Sequence, residues 1–143
     1  MTEDETQSLS EMEPLIDALF DVSCDFVTKF GNFLPHGATL DSAGAVRLVG
    51  AMTENEMTNS EEVLPLLHDG LRQSTAQADT RAVGVSESVY IGAEREPAIK
   101  VLAEHRDGLT VALYMTWKKR LLRAPHFGET RMVRADPEVG HWA

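Results

Sequence analysis

Residues 98–106 and 109–117 are two apolar segments joined by Asp107-Gly108. Asp-Gly between alternating apolar residues is the strongest short hairpin signal a sequence carries, because such a turn needs a backbone that glycine adopts without steric cost. A two-residue turn predicts the pairs Arg106–Leu109, Glu104–Val111, Leu102–Leu113 and Val101–Tyr114. It sorts Leu102, Leu109, Val111, Leu113, Met115 and Trp117 onto one face, and Ile99, Val101, Ala103, Ala112 and Tyr114 onto the other. Both faces are then apolar, so this ribbon is expected at the centre of a sheet, with cover on each side.

The rest of the chain supplies that cover. Leu15, Ile16, Leu19, Phe20, Phe26, Val27 and Phe30 form one helical stripe, with Asp17, Asp21, Asp25 and Lys29 opposite. A helix is predicted over 11–30, with Ser10 and Glu13 as a capping box, Pro14 in its first turn and Gly31 after its end. Residues 38–40 and 45–49 read as a short hairpin around Asp41-Ser42-Ala43-Gly44. A polar stretch leads to a second helix, capped by Asn59 or Ser60, with Val63, Leu64, Leu67, Leu71 and Ala78 as its stripe. Gly70 inside it weakens the helix and suggests close packing against another backbone. Val83, Val85, Val89 and Ile91 alternate along a strand over 81–91, and a charged turn precedes the central ribbon. Residues 127–133 suit a further short strand.

The resulting order is α-β-β-α-β-β-β. It implies an α+β fold, with a single five-stranded antiparallel sheet and two helices packed on it. The domain is expected over residues 10–134, with a disordered acidic stretch at 1–9 and a C-terminal tail at 135–143. The element order resembles the roadblock and profilin-like architecture, in which helices cover both faces of such a sheet.

Composition bounds the function. The chain has 143 residues and a net charge of −10, and the charge is unevenly spread. Residues 1–70 hold fourteen acidic and two basic residues, whereas residues 71–143 hold nine acidic and eleven basic ones. An acidic field repels phosphate backbones, so no nucleic-acid partner is expected. No apolar run is long enough to cross a bilayer and the first ten residues are acidic and polar, so no membrane association and a cytoplasmic location are expected. The single cysteine, Cys24, lies mid-helix between Asp21 and Asp25, which oppose a thiolate; it reads as a small buried hydrophobe.

Two stretches carry a family likeness. Phe33-Leu34-Pro35-His36-Gly37 precedes Leu40-Asp41 and Gly44-Ala45-Val46, and Ala98-Ile99-Lys100-Val101 precedes Glu104-His105-Arg106-Asp107-Gly108. Together they resemble small bacterial proteins of uncharacterised function, with an F-x-P-x-G loop before the first hairpin. The resemblance spans about residues 12–118 and implies no activity, cofactor or catalytic residue.

Candidate chemistry is sparse. His36, His68, His105, His126 and His141 form no H-x-x-x-H or H-E-x-x-H pair, so no metal site is expected. No catalytic residue and no cofactor are assigned. Pro35, His36 and Gly37 form a rigid loop of the kind that carries function, and a ligand site joining them to His105 would need a shared pocket. Lys118, Lys119, Arg120 and Arg123 form the one basic cluster, either a solvated strand end or a site for an anion or acidic partner. Three functions follow in order of support. The first is a non-catalytic protein-interaction module, with a homodimer as one form of it, that uses exposed strand edges. The second is an acidic immunity or inhibitor-type protein with a basic partner. The third is a small-molecule-binding protein or enzyme built on the His36 loop.

Overall fold

The structure, a computed structural model, describes residues 1–50, 60–140 and 142. The stretch 51–59, with Asn59 as candidate cap, and His141 lie outside the described residues. Two helices and six strands follow in the order α1 (Glu3–Phe30), β1 (His36–Asp41), β2 (Val46–Val49), α2 (Ser60–Thr75), β3 (Thr80–Ile91), β4 (Glu96–His105), β5 (Thr110–Arg120) and β6 (Arg123–Arg134). One sheet takes all six strands in the order β2-β1-β3-β4-β5-β6, and every neighbouring pair is antiparallel. The fold is therefore α+β, with six strands rather than five. The expected short segment at 127–133 is part of a 12-residue strand that pairs along β5.

The helix α1 begins well before the apolar stripe does. Thr2 caps it: its hydroxyl accepts the Glu5 N–H at 3.1 Å, while the Glu5 carboxylate accepts the Thr2 N–H at 3.1 Å. The residues expected to be disordered are thus the first two turns, and the Ser10–Glu13 capping box is not used. Ser8 is buried, Leu9 packs on the core, and Glu5 pairs with Arg134 of β6, so tertiary contacts hold a polar stretch that has little hydrophobic drive of its own. At the other end Gly31 adopts φ +74 and donates to Val27 O.

The central hairpin is shifted by one residue from the expected register. Glu104 lies opposite Thr110, Ala103 opposite Val111 and Val101 opposite Leu113. The closing pair is His105–Leu109, with Gly108 N–H donating to His105 O at 3.0 Å. Gly108 has φ +107, whereas Asp107 is not among the residues with positive φ. A two-residue Asp-Gly turn needs positive φ at both positions; with glycine alone supplying it, the loop takes three residues and a glycine bulge.

That single step re-sorts the faces. Ile99, Val101 and Ala103 now join Val111, Leu113, Met115 and Trp117 beneath α1, against Met12, Leu15, Ile16, Leu19 and Phe20. Gly84 lets α1 approach β3: a Cβ there would stand 2.7 Å from Leu19 Cδ1. The opposite face of β4 and β5 carries Ala98, Lys100, Leu102, Thr110, Ala112, Tyr114 and Thr116, a more polar set. On this side α2 packs on β1 and β3 through Leu67 and Leu71, which meet Val83, Val85 and Val139. Gly37 is required there, because a Cβ would come within 2.8 Å of Gly84 O and 2.9 Å of Leu71 Cδ1. Gly70 is not a close-packing site: no described atom lies within 4 Å of where its Cβ would sit. The helix ends at Thr75, so Ala78 is exposed and outside the stripe.

The C-terminal tail is docked rather than loose. Glu104, 1% exposed, accepts N–H bonds from Glu138 (3.0 Å), Val139 (2.9 Å) and Gly140 (2.6 Å). Arg106 completes the strap, donating to the Thr80 and Gln77 carbonyls while its guanidinium lies 5.0 Å from the Trp142 ring centroid. Among the described residues, no helix is long and apolar enough to cross a membrane.

Candidate functional site

Among the described residues, two sheet edges are open. The first, β2, has four residues, and short edges recruit few partners. The second, β6, has twelve, and no described strand pairs with its outer edge. Its central part carries Phe127, Glu129, Thr130, Arg131, Met132 and Val133, all exposed except the half-buried Phe127. Pro125, which cannot donate to a ladder, stands near one end and leaves that central part clear.

The β5–β6 connection is the most unusual feature of the surface. Arg120 lies opposite Arg123, so Leu121 and Leu122 alone make the turn. They are 88% and 96% exposed, and Leu122 has φ +57. Tight hairpins prefer Asn-Gly at such positions, and a left-handed leucine costs about 1 kcal/mol. Strain of this kind points to function when it is paired with exposed apolar groups.

The basic cluster expected from the sequence is gathered at this tip. Lys118 lies opposite His126 and Arg120 opposite Arg123, all exposed. Like charges directly opposite on a ladder repel, so an anionic neighbour would relieve the tip. Arg120 donates through Nε to Ala124 O at 2.8 Å. Lys119, Arg120 and Arg123 also line a shallow cleft of about 310 Å³ with Phe30, Trp117 and Pro125.

Charge is opposite in sign at the far end of the same strand. Glu3 and Asp4 open α1, and Asp136 and Glu138 follow β6; all four are exposed. Beside them is a cavity of about 670 Å³, lined by Asp4, Glu5, Glu11, Arg81, Asp107 and Leu109 among others. Glu11 accepts from Arg81 Nε at 2.8 Å, and this bond holds the Glu11 carboxyl below its usual range, as the nearby charge does to a lesser degree.

The two histidines of the proposed ligand site are apart. His36 pairs with Ser86 and His105 pairs with Ala82, four positions away on β3, roughly 13 Å along a strand. Neither lines the cavities described above. His105, 2% exposed, accepts the Asp107 N–H on Nδ1 at 3.0 Å and places Nε2 3.3 Å from Glu11 Oε1. It ties the hairpin turn to α1.

His36 contacts Leu34 O through Nδ1 at 3.2 Å and Ser23 Oγ through Nε2 at 3.3 Å. Ser23 Oγ is also 2.6 Å from Ser86 Oγ and donates to Leu19 O at 2.8 Å. Both serines are fully buried, and the imidazole meets Phe26 and Phe33 edge-on. Burial pushes the His36 pKa below its ordinary 6.5. Geometrically this is a polar pin through the α1 interface, with neutral histidine favoured. Pro35 and Gly37 are buried on either side of the half-buried His36, so the loop is part of the core boundary.

Cys24 is half-buried and its thiol, 3.8 Å from Met115 Sδ, is pushed up in pKa by desolvation, with Asp21 adding to the shift. His68 is half-buried on α2, and its Nε2 finds no hydrogen-bond partner among the described residues. Sequence reasoning missed the Leu121-Leu122 tip, although Lys118–Arg123 flagged its neighbours. It also missed the Glu104 strap, for which a glutamate at an apolar strand position was the available signal. No family model, curated protein or solved structure matches this chain.

Proposed function

We propose that this chain is a non-catalytic protein-interaction module that takes a partner strand on the outer edge of β6, with the Leu121-Leu122 tip as an anchor. The observation that carries the reading is the 12-residue unpaired edge ending in two solvent-exposed leucines. A row of free backbone donors and acceptors is a ready template for strand addition, and alternate side chains supply specificity. Exposed leucines at a strained turn, flanked by four cations, suit a partner with an apolar pocket and an acidic rim. The buried Ser23, Ser86 and His105 and the half-buried His36 serve packing in this reading.

The test is photo-crosslinking in cells of origin. A photoreactive residue replaces Glu129 in β6 or, as control, Ala93 in the β3–β4 turn. A discrete adduct from Glu129 but not Ala93, whether to another protein or to this one, is the expected result. Failure of every β6 position to yield an adduct sinks the proposal.

A further inference from the structure

Resting on that reading, we infer that the strand β6 receives is the β6 of a second copy, antiparallel, about a two-fold axis near Thr130. Three features select this occupant.

The first is polarity. The tip end of β6 is basic, at Lys118, Lys119 and Arg120 of the neighbouring β5 and at Arg123, whereas by its other end, where Arg134 is paired with Glu5, lie the acidic Glu3, Asp4 and Asp136. Antiparallel self-pairing sets unlike ends together twice, whereas parallel pairing would set like ends together. A two-fold contact uses the same patch on both copies, so that patch must be complementary to itself when reversed, and this one is.

The second is register. A two-fold at Thr130 puts Glu129 of each copy opposite Arg131 of the other, giving two opposite-charge pairs on one sheet face. β6 has two bulges against β5, between Phe127 and Thr130 and between Arg123 and His126, whereas Thr130–Arg134 pair regularly, so only the pairs flanking Thr130 are assigned.

The third is the tip. In this arrangement Leu122 of one copy lies past Arg134, the last residue of the other copy's β6. Arg134 is itself occupied by Glu5, so it does not confront the incoming cations unpaired. The tip then lies by the end of the sheet that holds the 670 Å³ cavity, where Asp4, Glu5, Glu11 and Asp107 outnumber Arg81. Two exposed leucines and their arginines gain cover, and the repulsion between Arg120 and Arg123 gains a counter-charge.

The experiment is sedimentation of the purified full chain over a wide concentration range, with crosslinking alongside. Wild type should form a dimer that weakens with added salt. Glu129→Lys should weaken it about tenfold, because symmetry doubles each lost pair, and Glu129→Lys with Arg131→Glu should restore it. On a Cys24→Ala background, Thr130→Cys should form a disulfide-linked dimer under mild oxidation, since opposed strand residues sit within disulfide reach. Arg95→Cys, in the exposed β3–β4 turn, should not. Circular dichroism of each variant separates loss of association from loss of fold.

A monomer at every concentration overturns self-pairing, as does a dimer that Thr130→Cys fails to link. If the purified chain is monomeric while Glu129 crosslinks a different protein in cells, the strand-addition reading stands and only the self-pairing falls. If no β6 position crosslinks either, both fall.

Discussion

The two faces of the sheet are held by different physics. Beneath α1 lies a continuous apolar core of Met12, Leu15, Leu19, Leu40, Ile99, Val101 and Val111, all at most 1% exposed. Beneath α2 the core is small, built on Leu67, Leu71, Val83, Val85 and Val139. There the remaining cover comes from a tail of little secondary structure, tied down by the Glu104 carboxylate and Arg106. One face rests on non-directional burial, the other on a few directional bonds whose loss is abrupt. A fold so divided has a stable scaffold and one side that opens at lower cost.

That contrast is open to attack. The largest expected effect is Leu15→Ala, which should cost about 4 kcal/mol by denaturant titration, against about 2.5 kcal/mol for Leu67→Ala, because the larger core offers more lost contacts. Equal losses would break the comparison. Next, Glu104→Gln should cost about 2 kcal/mol, because the amide keeps one acceptor oxygen and turns its NH2 toward a tail N–H that the other carboxylate oxygen held, and should expose residues 135–140 to limited proteolysis while α1 stays intact. A tail that remains resistant would show that Val139 and Trp142 hold it without the carboxylate.

Gly70→Ala should stabilise by about 1 kcal/mol in thermal melts, since the site is a helix interior with open space around it. A loss instead would mean that the α2 face is closed by something more than the described contacts. The smallest effect is a pH slope. His36 has a depressed pKa in the folded state, so the unfolded chain binds its proton first on acidification. Stability is therefore full above pH 6.5 and falls as the pH drops from 6.5 toward the folded pKa. Glu11, also depressed, adds a second loss only below about 4.5. His36→Gln should remove the first slope and leave the second; an unchanged profile would reassign it.

Much of the molecule was legible from local pattern. The stripe from Leu15 to Phe30 declared α1, Gly31 its end, and alternation along 81–91 a strand, because amphipathic periodicity is imposed by a single nearby core. The miss at residues 3–9 was of a different kind. Leu9 is the one apolar residue among them, and they are helical because Thr2 caps them and Arg134, far away in sequence, meets Glu5. The hairpin register failed for a third reason: whether Asp-Gly closes a two- or three-residue loop is decided by which face must meet α1, not by the dipeptide. Of the candidate site, the cations at 118–123 were visible, but their place at a strand end next to a free edge was not.

What the residues determined unaided was the list of elements, the antiparallel habit set by short connections, and the asymmetry of charge, since each depends on neighbours in the chain. What only the tertiary structure decided was the register of the central hairpin, the sixth strand with its open edge, and the tail fastened to Glu104. Each of these is a contact between distant segments, whose free energy exists only once a common core has brought them together.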